Sequence, residues 1–370
     1  MALVPSYIEA LRPYEPGRRA DEARRLYGIT DVIKLASNEN PLGPSPLALE
    51  AIQREAASVH LYPDGGLRLR ERLAEIYAAK VDNVIAGSGS EGIMANIVRT
   101  FLLDDDEVLA SEASFAAFRV LVQARGVAYR EVPHRDYHLD LDAIAEAITG
   151  RTKIVYLANP NNPTGTIFTR QEFDRFYKHV PERVLIILDE AYIEYARDNP
   201  VYPDSMFYRY DNVITLRTFS KVYGLAGLRI GYGFAHESLI SNLLKVKLPF
   251  EPNSLALAAA VAALDDTEFL HRSLALNART LRLLSQGLTR LGLRVIPSSA
   301  NFVMVVLDNA EMARVAAEEL FRQGVIIRSL NGFGLPHCVR ISTGTEAQTQ
   351  RLTGSLAGVL EQAASALKGG

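Results

Sequence analysis

The chain has 370 residues, 48% hydrophobic and 22% charged, proportions that belong to a folded protein and exclude extended disorder. Forty Lys and Arg against 43 Asp and Glu give a net charge of −3, without the basic excess on which nucleic-acid binding rests. Cys338 is the only cysteine, which excludes an intramolecular disulfide and a multi-cysteine metal site, and the seven histidines show no ligand spacing, so no metal is expected.

In chain order, residues 1–30 fit no repeating pattern and are expected to form an arm that packs elsewhere. From residue 83 to 234 one rhythm recurs: a short apolar run, a turn, a helical stretch. The runs are Asn83–Ala86, Glu107–Ala110, Ala128–Val132, Lys153–Ala158, Val184–Leu188, Asn212–Leu216 and Arg229–Phe234. Most are rich in Val, Ile and Leu with little alternation, as in strands covered on both faces. Helical patterns such as Gly92–Leu103 and Ala116–Ala124 lie between them. This predicts an α/β domain with a mostly parallel, seven-stranded sheet sandwiched by helices, over 31–252.

After Pro249 and Pro252 the pattern changes. Helices are predicted at Ser254–Leu264, Glu268–Leu291, 311–322 and 346–367, and strands at Leu293–Ile296, Asn301–Leu307, Val325–Arg328 and Cys338–Ser342. Residues 253–370 are therefore expected to form a smaller α+β domain. The longest apolar run, Leu255 to Leu264, has ten residues, about half of the ~20 that span a bilayer. With no signal-peptide pattern at the N-terminus, a cytoplasmic protein is expected.

Four segments carry chemistry. Gly87-Ser88-Gly89-Ser90-Glu91-Gly92 matches G-x-G-x-x-G between a predicted strand and helix, with Glu112 where a ribose-binding acid would stand, so a dinucleotide-binding dehydrogenase is one reading. The less specific reading is a turn whose free backbone N–H groups, at a helix N-terminus, bind a phosphate. Asn159-Pro160-Asn161-Asn162-Pro163-Thr164-Gly165 forces a loop beyond a strand's C-terminal end, where ligands bind in open α/β sheets. Asp189-Glu190-Ala191-Tyr192 follows a very apolar run, and a carboxylate there needs a cation or hydrogen bonds unless it caps a helix. Thr218-Phe219-Ser220-Lys221 places a lysine after an apolar strand with Arg229 nearby. Desolvation and a cationic neighbour both favour the neutral amine that attacks a carbonyl.

Together these segments resemble the aspartate-aminotransferase-like (fold type I) family of pyridoxal-phosphate enzymes, most closely its histidinol-phosphate branch. The resemblance also takes in Arg12-Pro13-Tyr14-Glu15-Pro16-Gly17, the run from Lys34 to Pro44, Tyr62-Pro63-Asp64, Gly224 to Tyr232 and Arg340 to Thr345. It implies pyridoxal 5′-phosphate as cofactor, with Lys221 the lysine whose amine condenses with the cofactor aldehyde and then shuttles a proton. It implies that Asp189 faces the pyridine nitrogen, that Tyr192 and Asn162 donate to the ring's phenolic oxygen, and that Phe115 stacks on the ring. Gly89, Ser90 and Glu91 would give backbone donors to the cofactor phosphate, and Thr218, Ser220 and Arg229 the side-chain half of that cup. Tyr62 would reach the phosphate from a neighbouring subunit of a homodimer. Arg340 and Arg328 would bind the substrate's anionic groups, with Tyr14 and Asn38 approaching from the N-terminal arm. The implied reaction converts L-histidinol phosphate and 2-oxoglutarate into imidazole-acetol phosphate and L-glutamate. The alternative is an aromatic amino-acid transaminase. Phe118, where family members often carry tyrosine, lacks one hydroxyl near the ring.

Overall fold

The computed structural model describes residues 3–13, 17–207 and 210–368. Thirteen strands occur among them: β1 Ile33–Lys34, β2 Val84–Gly87, β3 Glu107–Ser111, β4 Ala128–Val132, β5 Thr152–Ala158, β6 Leu185–Asp189, β7 Val213–Thr218, β8 Gly231–Phe234, β9 Arg294–Ile296, β10 Phe302–Val306, β11 Val325–Ile326, β12 Arg328–Ser329 and β13 Cys338–Ser342. Seven of them form one sheet in the order β2-β8-β7-β6-β5-β3-β4. The expected seven strands are all present. β2, β3, β6, β7 and β8 are buried at every position, which is why their sequences are apolar runs without alternation. β4 closes one edge and is largely open to solvent, which its Arg130 and Glu131 suit.

Only β8 is reversed: it pairs antiparallel with both β2 and β7, so β2 keeps the direction of the parallel strands. The C-terminal ends of β2, β3, β5, β6 and β7 therefore lie along one edge, and β8 begins there. Helices Gly89–Phe101 and Ala116–Ala124 pack through Ile93, Ile97, Phe118 and Val122 on one sheet face. Arg170–Tyr177 covers the other through Phe173 and Phe176. The first of these helices starts three residues before its expected position, because Gly89-Ser90-Glu91 already form its first turn.

The smaller sheet has the order β12-β13-β10-β9, all antiparallel. The single strand expected at Val325–Arg328 is two. β11 pairs in parallel with β1, while β12 leaves that pairing at Ile327 and joins β13. Packing also crosses the expected borders at residues 31 and 253. Ile33 and Leu35 sit in a core with Val303, Leu320, Val325 and Ile341. Helix Ser254–Asp265 instead packs by Ala256, Ala259 and Ala260 against Leu69, Val84 and Tyr232 of the larger unit. Its alanine-rich face allows the close approach to helix Pro46–Glu55 that the two helices share.

Candidate active site

Lys221, Asp189, Tyr192, Asn162, Phe115, Ser90, Glu91, Thr218, Ser220 and Arg229 line one cavity of about 250 Å3, together with Ser37, Ala158 and Pro160. The common strand edge brings them together. Phe115 follows β3, Asn162 follows β5, Asp189 ends β6, and Thr218, Ser220 and Lys221 end and follow β7. Arg229 precedes β8, and it stands at this edge because β8 runs backwards. The chain turns outward from β3 to β4 and returns to the far side of β3 at β5. Such a reversal of strand order opens the crevice in which open α/β sheets bind ligands.

The loop after β5 is tied to the loop after β3. Asn161 donates to the Ala113 carbonyl at 2.9 Å and accepts from Ser114 Oγ at 3.0 Å. Arg340 Nη1 donates to Asn162 Oδ1, and its Nη2 donates to the Ala36 carbonyl at 2.7 Å. An arginine has no acceptor, so this contact fixes the Asn162 amide with its oxygen toward Arg340 and its N–H groups available to the cavity. Asn38 Nδ2 donates at 2.8 Å to Tyr192 Oη in the same way, which leaves the Tyr192 hydrogen to be donated elsewhere. Asn38 is buried, and it is held in a left-handed conformation (φ 58°) by Ser342 Oγ and Asn301 Nδ2.

Asp189 is 6% exposed. Its Oδ2 accepts from Tyr156 Oη at 2.6 Å and its Oδ1 from the Ala191 N–H at 3.1 Å. Burial pushes its carboxyl above the usual carboxylate range, against the pull of those two donors and of the Lys221 charge. Lys221 Nζ lies 5.5 Å from the Tyr192 ring centre. Tyr156 lies outside the sequence motifs. Its signal is a tyrosine inside an almost wholly buried strand, whose hydroxyl must find a partner.

The glycine turn forms the opposite wall. Helix Gly89–Phe101 has no side-chain cap, so its first-turn N–H groups remain for an anion. Gly89 has φ 75°, a left-handed backbone conformation that favours glycine, and a Cβ there would lie 2.8 Å from Arg229 Nη2, the movable end of that side chain. Arg229 donates to Ser220 Oγ at 3.4 Å and lies 3.6 Å from Glu91. Thr218 Oγ1 donates to Ser220 Oγ at 3.0 Å.

Two expected residues stand apart from this cavity. Tyr62 is 80% exposed and stacks on Phe250 at 4.3 Å, in a separate surface groove. Arg328 lines a cavity of about 890 Å3 between helix Ala116–Ala124, the Asn331–Gly334 turn and residues 7–13. Tyr14 lies outside the described residues. Phe118 is buried behind the site and stacks on Tyr156 at 4.5 Å.

The sequence profile of the aminotransferase class I and II family matches residues 30–356. The chain belongs to that family. Among its relatives, a histidinol-phosphate aminotransferase of Anaeromyxobacter sp. is 43% identical, over 97% of this chain and all of that protein. Histidinol-phosphate aminotransferase 2 of Pseudomonas fluorescens is 44% identical over 98% and 99% of the two chains. The crystal structure of histidinol-phosphate aminotransferase from Sinorhizobium meliloti, in complex with pyridoxal-5′-phosphate, superposes with a TM-score of 0.90. It is 30% identical over 98% of each chain. The fold of this aminotransferase is thus the mostly parallel seven-stranded α/β sheet with a smaller α+β unit.

Proposed function

We propose that this aminotransferase uses pyridoxal 5′-phosphate to convert L-histidinol phosphate and 2-oxoglutarate into imidazole-acetol phosphate and L-glutamate, in the cytoplasm. The observation that carries the reading is the meeting of Lys221, Asp189, Tyr192 and Asn162 with an uncapped helix N-terminus and Arg229 around one cavity. The near-full-length likeness to histidinol-phosphate aminotransferases supports the substrate.

The site fits the cofactor by the chemistry of its walls: an anion cup at one end, a buried carboxylate at the other, and an amine between. The Ser90 and Glu91 N–H groups, Thr218, Ser220 and Arg229 would hold the phosphate, and the planar guanidinium suits a bidentate grip. Asp189 would accept the hydrogen of the ring nitrogen. Tyr192 and Asn162 would donate to the ring oxygen, with the polarity that Asn38 and Arg340 impose on them. Phe115 would cover the ring face. When bound, the cofactor supplies the electron-accepting ring that stabilises negative charge at the substrate Cα. Lys221 Nζ would hold it covalently and, once displaced by the donor's amine, would be free to take the proton from the donor's Cα as general base. Arg340 and Arg328 bind the substrate's carboxylate and phosphate in turn. Tyr62, exposed in a single chain, completes the phosphate cup of a second copy in a homodimer. By packing, residues 33–38 count with the smaller domain and helix Ser254–Asp265 with the larger.

The purified protein should be yellow, and borohydride should attach the cofactor to a peptide containing Lys221. A colourless protein that pyridoxal phosphate does not reconstitute overturns the reading. With 2-oxoglutarate as acceptor, kcat/KM for histidinol phosphate should exceed that for phenylalanine. The reverse order would assign an aromatic amino-acid transaminase instead.

A further inference from the structure

Tyr156 belongs to none of the motifs of the site, yet it makes the shortest hydrogen bond to Asp189. In the register of β5 on β6, Ala158 stands opposite Asp189 and Tyr156 opposite Ile187. Alternate residues of a strand share a face, so Tyr156, Ala158 and Asp189 point the same way. Ala158 is small and lines the cavity, which leaves the Tyr156 phenol room to reach diagonally past it to Oδ2. The phenol has no freedom to turn elsewhere. Tyr156 is fully buried, and its ring is stacked on Phe118, which is itself fully buried and edge-on to Tyr129. Burial and the neighbouring Asp189 charge hold the phenol far from ionisation, so it acts as a donor only.

We propose that Tyr156 is the positioning residue for Asp189, fixing the orientation and the charge of the carboxylate that faces the cofactor ring. This rests on the assignment of pyridoxal phosphate to the cavity. An ionised carboxylate has about four acceptor positions. Tyr156 and the Ala191 N–H occupy one on each oxygen, and the others remain for the ring N–H. The titratable groups around Asp189 are Tyr156 on β5, Lys221 beyond β7 and Tyr192 just after β6. Burial drives the carboxyl toward its neutral form, and a neutral carboxyl would not keep a pyridine nitrogen protonated. The Tyr156 O–H opposes that drive most strongly among the groups that lower it, ahead of the Ala191 N–H and the Lys221 charge. The sequence already asks for a cation or hydrogen bonds at Asp189, and buried as it is, the carboxylate finds its shortest hydrogen bond in this donor.

Tyr156→Phe removes only the hydroxyl and keeps the ring on Phe118. A charge-assisted hydrogen bond of this kind corresponds to about a ten- to hundred-fold weaker binding of pyridoxal phosphate. Equilibrium dialysis of the apoprotein reads that loss directly. The acid limb of the kcat/KM profile should move to higher pH, because Asp189 without its donor takes up a proton more readily. The double variant with Asp189→Asn separates positioning from general support of the fold. In the Asp189→Asn background, loss of the hydroxyl should weaken cofactor binding less than about two-fold further. Equal cofactor affinity and equal acid limb in wild type and Tyr156→Phe would overturn the inference alone. So would additive losses in the double variant. A wild type that takes up no pyridoxal phosphate overturns the cofactor assignment and this inference with it.

Discussion

Arg328 and Arg340 are direct partners across the β12–β13 pair, so their side chains leave the same face of the small sheet. Like charges directly opposite each other destabilise a sheet. An anion bound on that face would offset the repulsion, which suits the role proposed for both. Arg340 is buried and fastened to Asn162 and Ala36, whereas Arg328 is half-buried at the larger cavity, its guanidinium 5.8 Å from the Phe333 ring centre. The outer arginine suits the distal phosphate of the donor. Arg328→Ala should raise KM for histidinol phosphate about 10- to 100-fold, as loss of a charge-assisted contact does. KM for phenylalanine should change by less than about three-fold. Equal losses for both donors, measured by steady-state kinetics, would remove Arg328 from phosphate recognition.

Two elements meet tightly where β8 passes the glycine turn. A Cβ on Gly231 would lie 2.5 Å from the Ser90 N and 2.7 Å from the Gly89 carbonyl carbon. Both neighbours are backbone atoms that cannot swing aside. Gly231→Ala should therefore push the Ser90 amide out of place. Stability should fall by about 1–3 kcal/mol, as overpacking does, and pyridoxal phosphate affinity should fall with it. Chemical denaturation and dialysis read the two losses, and an unchanged affinity would show that the turn is not the phosphate cup. The sequence announces this turn through its glycines, but the element that presses on it could not be read there. β8 and β2 are far apart in the chain, and nothing in Arg229–Phe234 marks a reversed strand. Local signals were enough where structure is local: the apolar runs gave the seven strands, and the punctuated loops gave the residues at their ends. Non-local pairing stayed hidden. Val325–Arg328 reads as one strand, and only the parallel partner β1, nearly 300 residues earlier, explains why it divides at Ile327. The role of Tyr156 is hidden for a related reason: in an apolar run it counts as core, and its partner lies on another strand.

At the scale of the whole molecule, the larger unit carries an apolar surface that a single chain leaves uncovered. Tyr62 is 80% exposed and Phe250, stacked on it, 51%. Val59, Leu61 and Leu248 are exposed beside them around the same groove. A contiguous patch of this kind marks a binding face, and a homodimer about a two-fold axis would cover it with its own copy. The register of that dimer can be tested through catalysis. Lys221→Ala and Tyr62→Ala homodimers should each be inactive or nearly so, one lacking the amine and the other a phosphate contact. If Tyr62 serves the neighbouring site, a hybrid of the two has one site with Lys221 from one subunit and Tyr62 from the other, both intact. Random reassociation makes half the dimers hybrid, so activity should recover to about a quarter of wild type. Recovery should fail when Phe250→Asp is added to both subunits, since a buried charge there would part the dimer, and sedimentation should then report monomers. Absence of any recovery from freely exchanging subunits would mean that each chain carries a complete site.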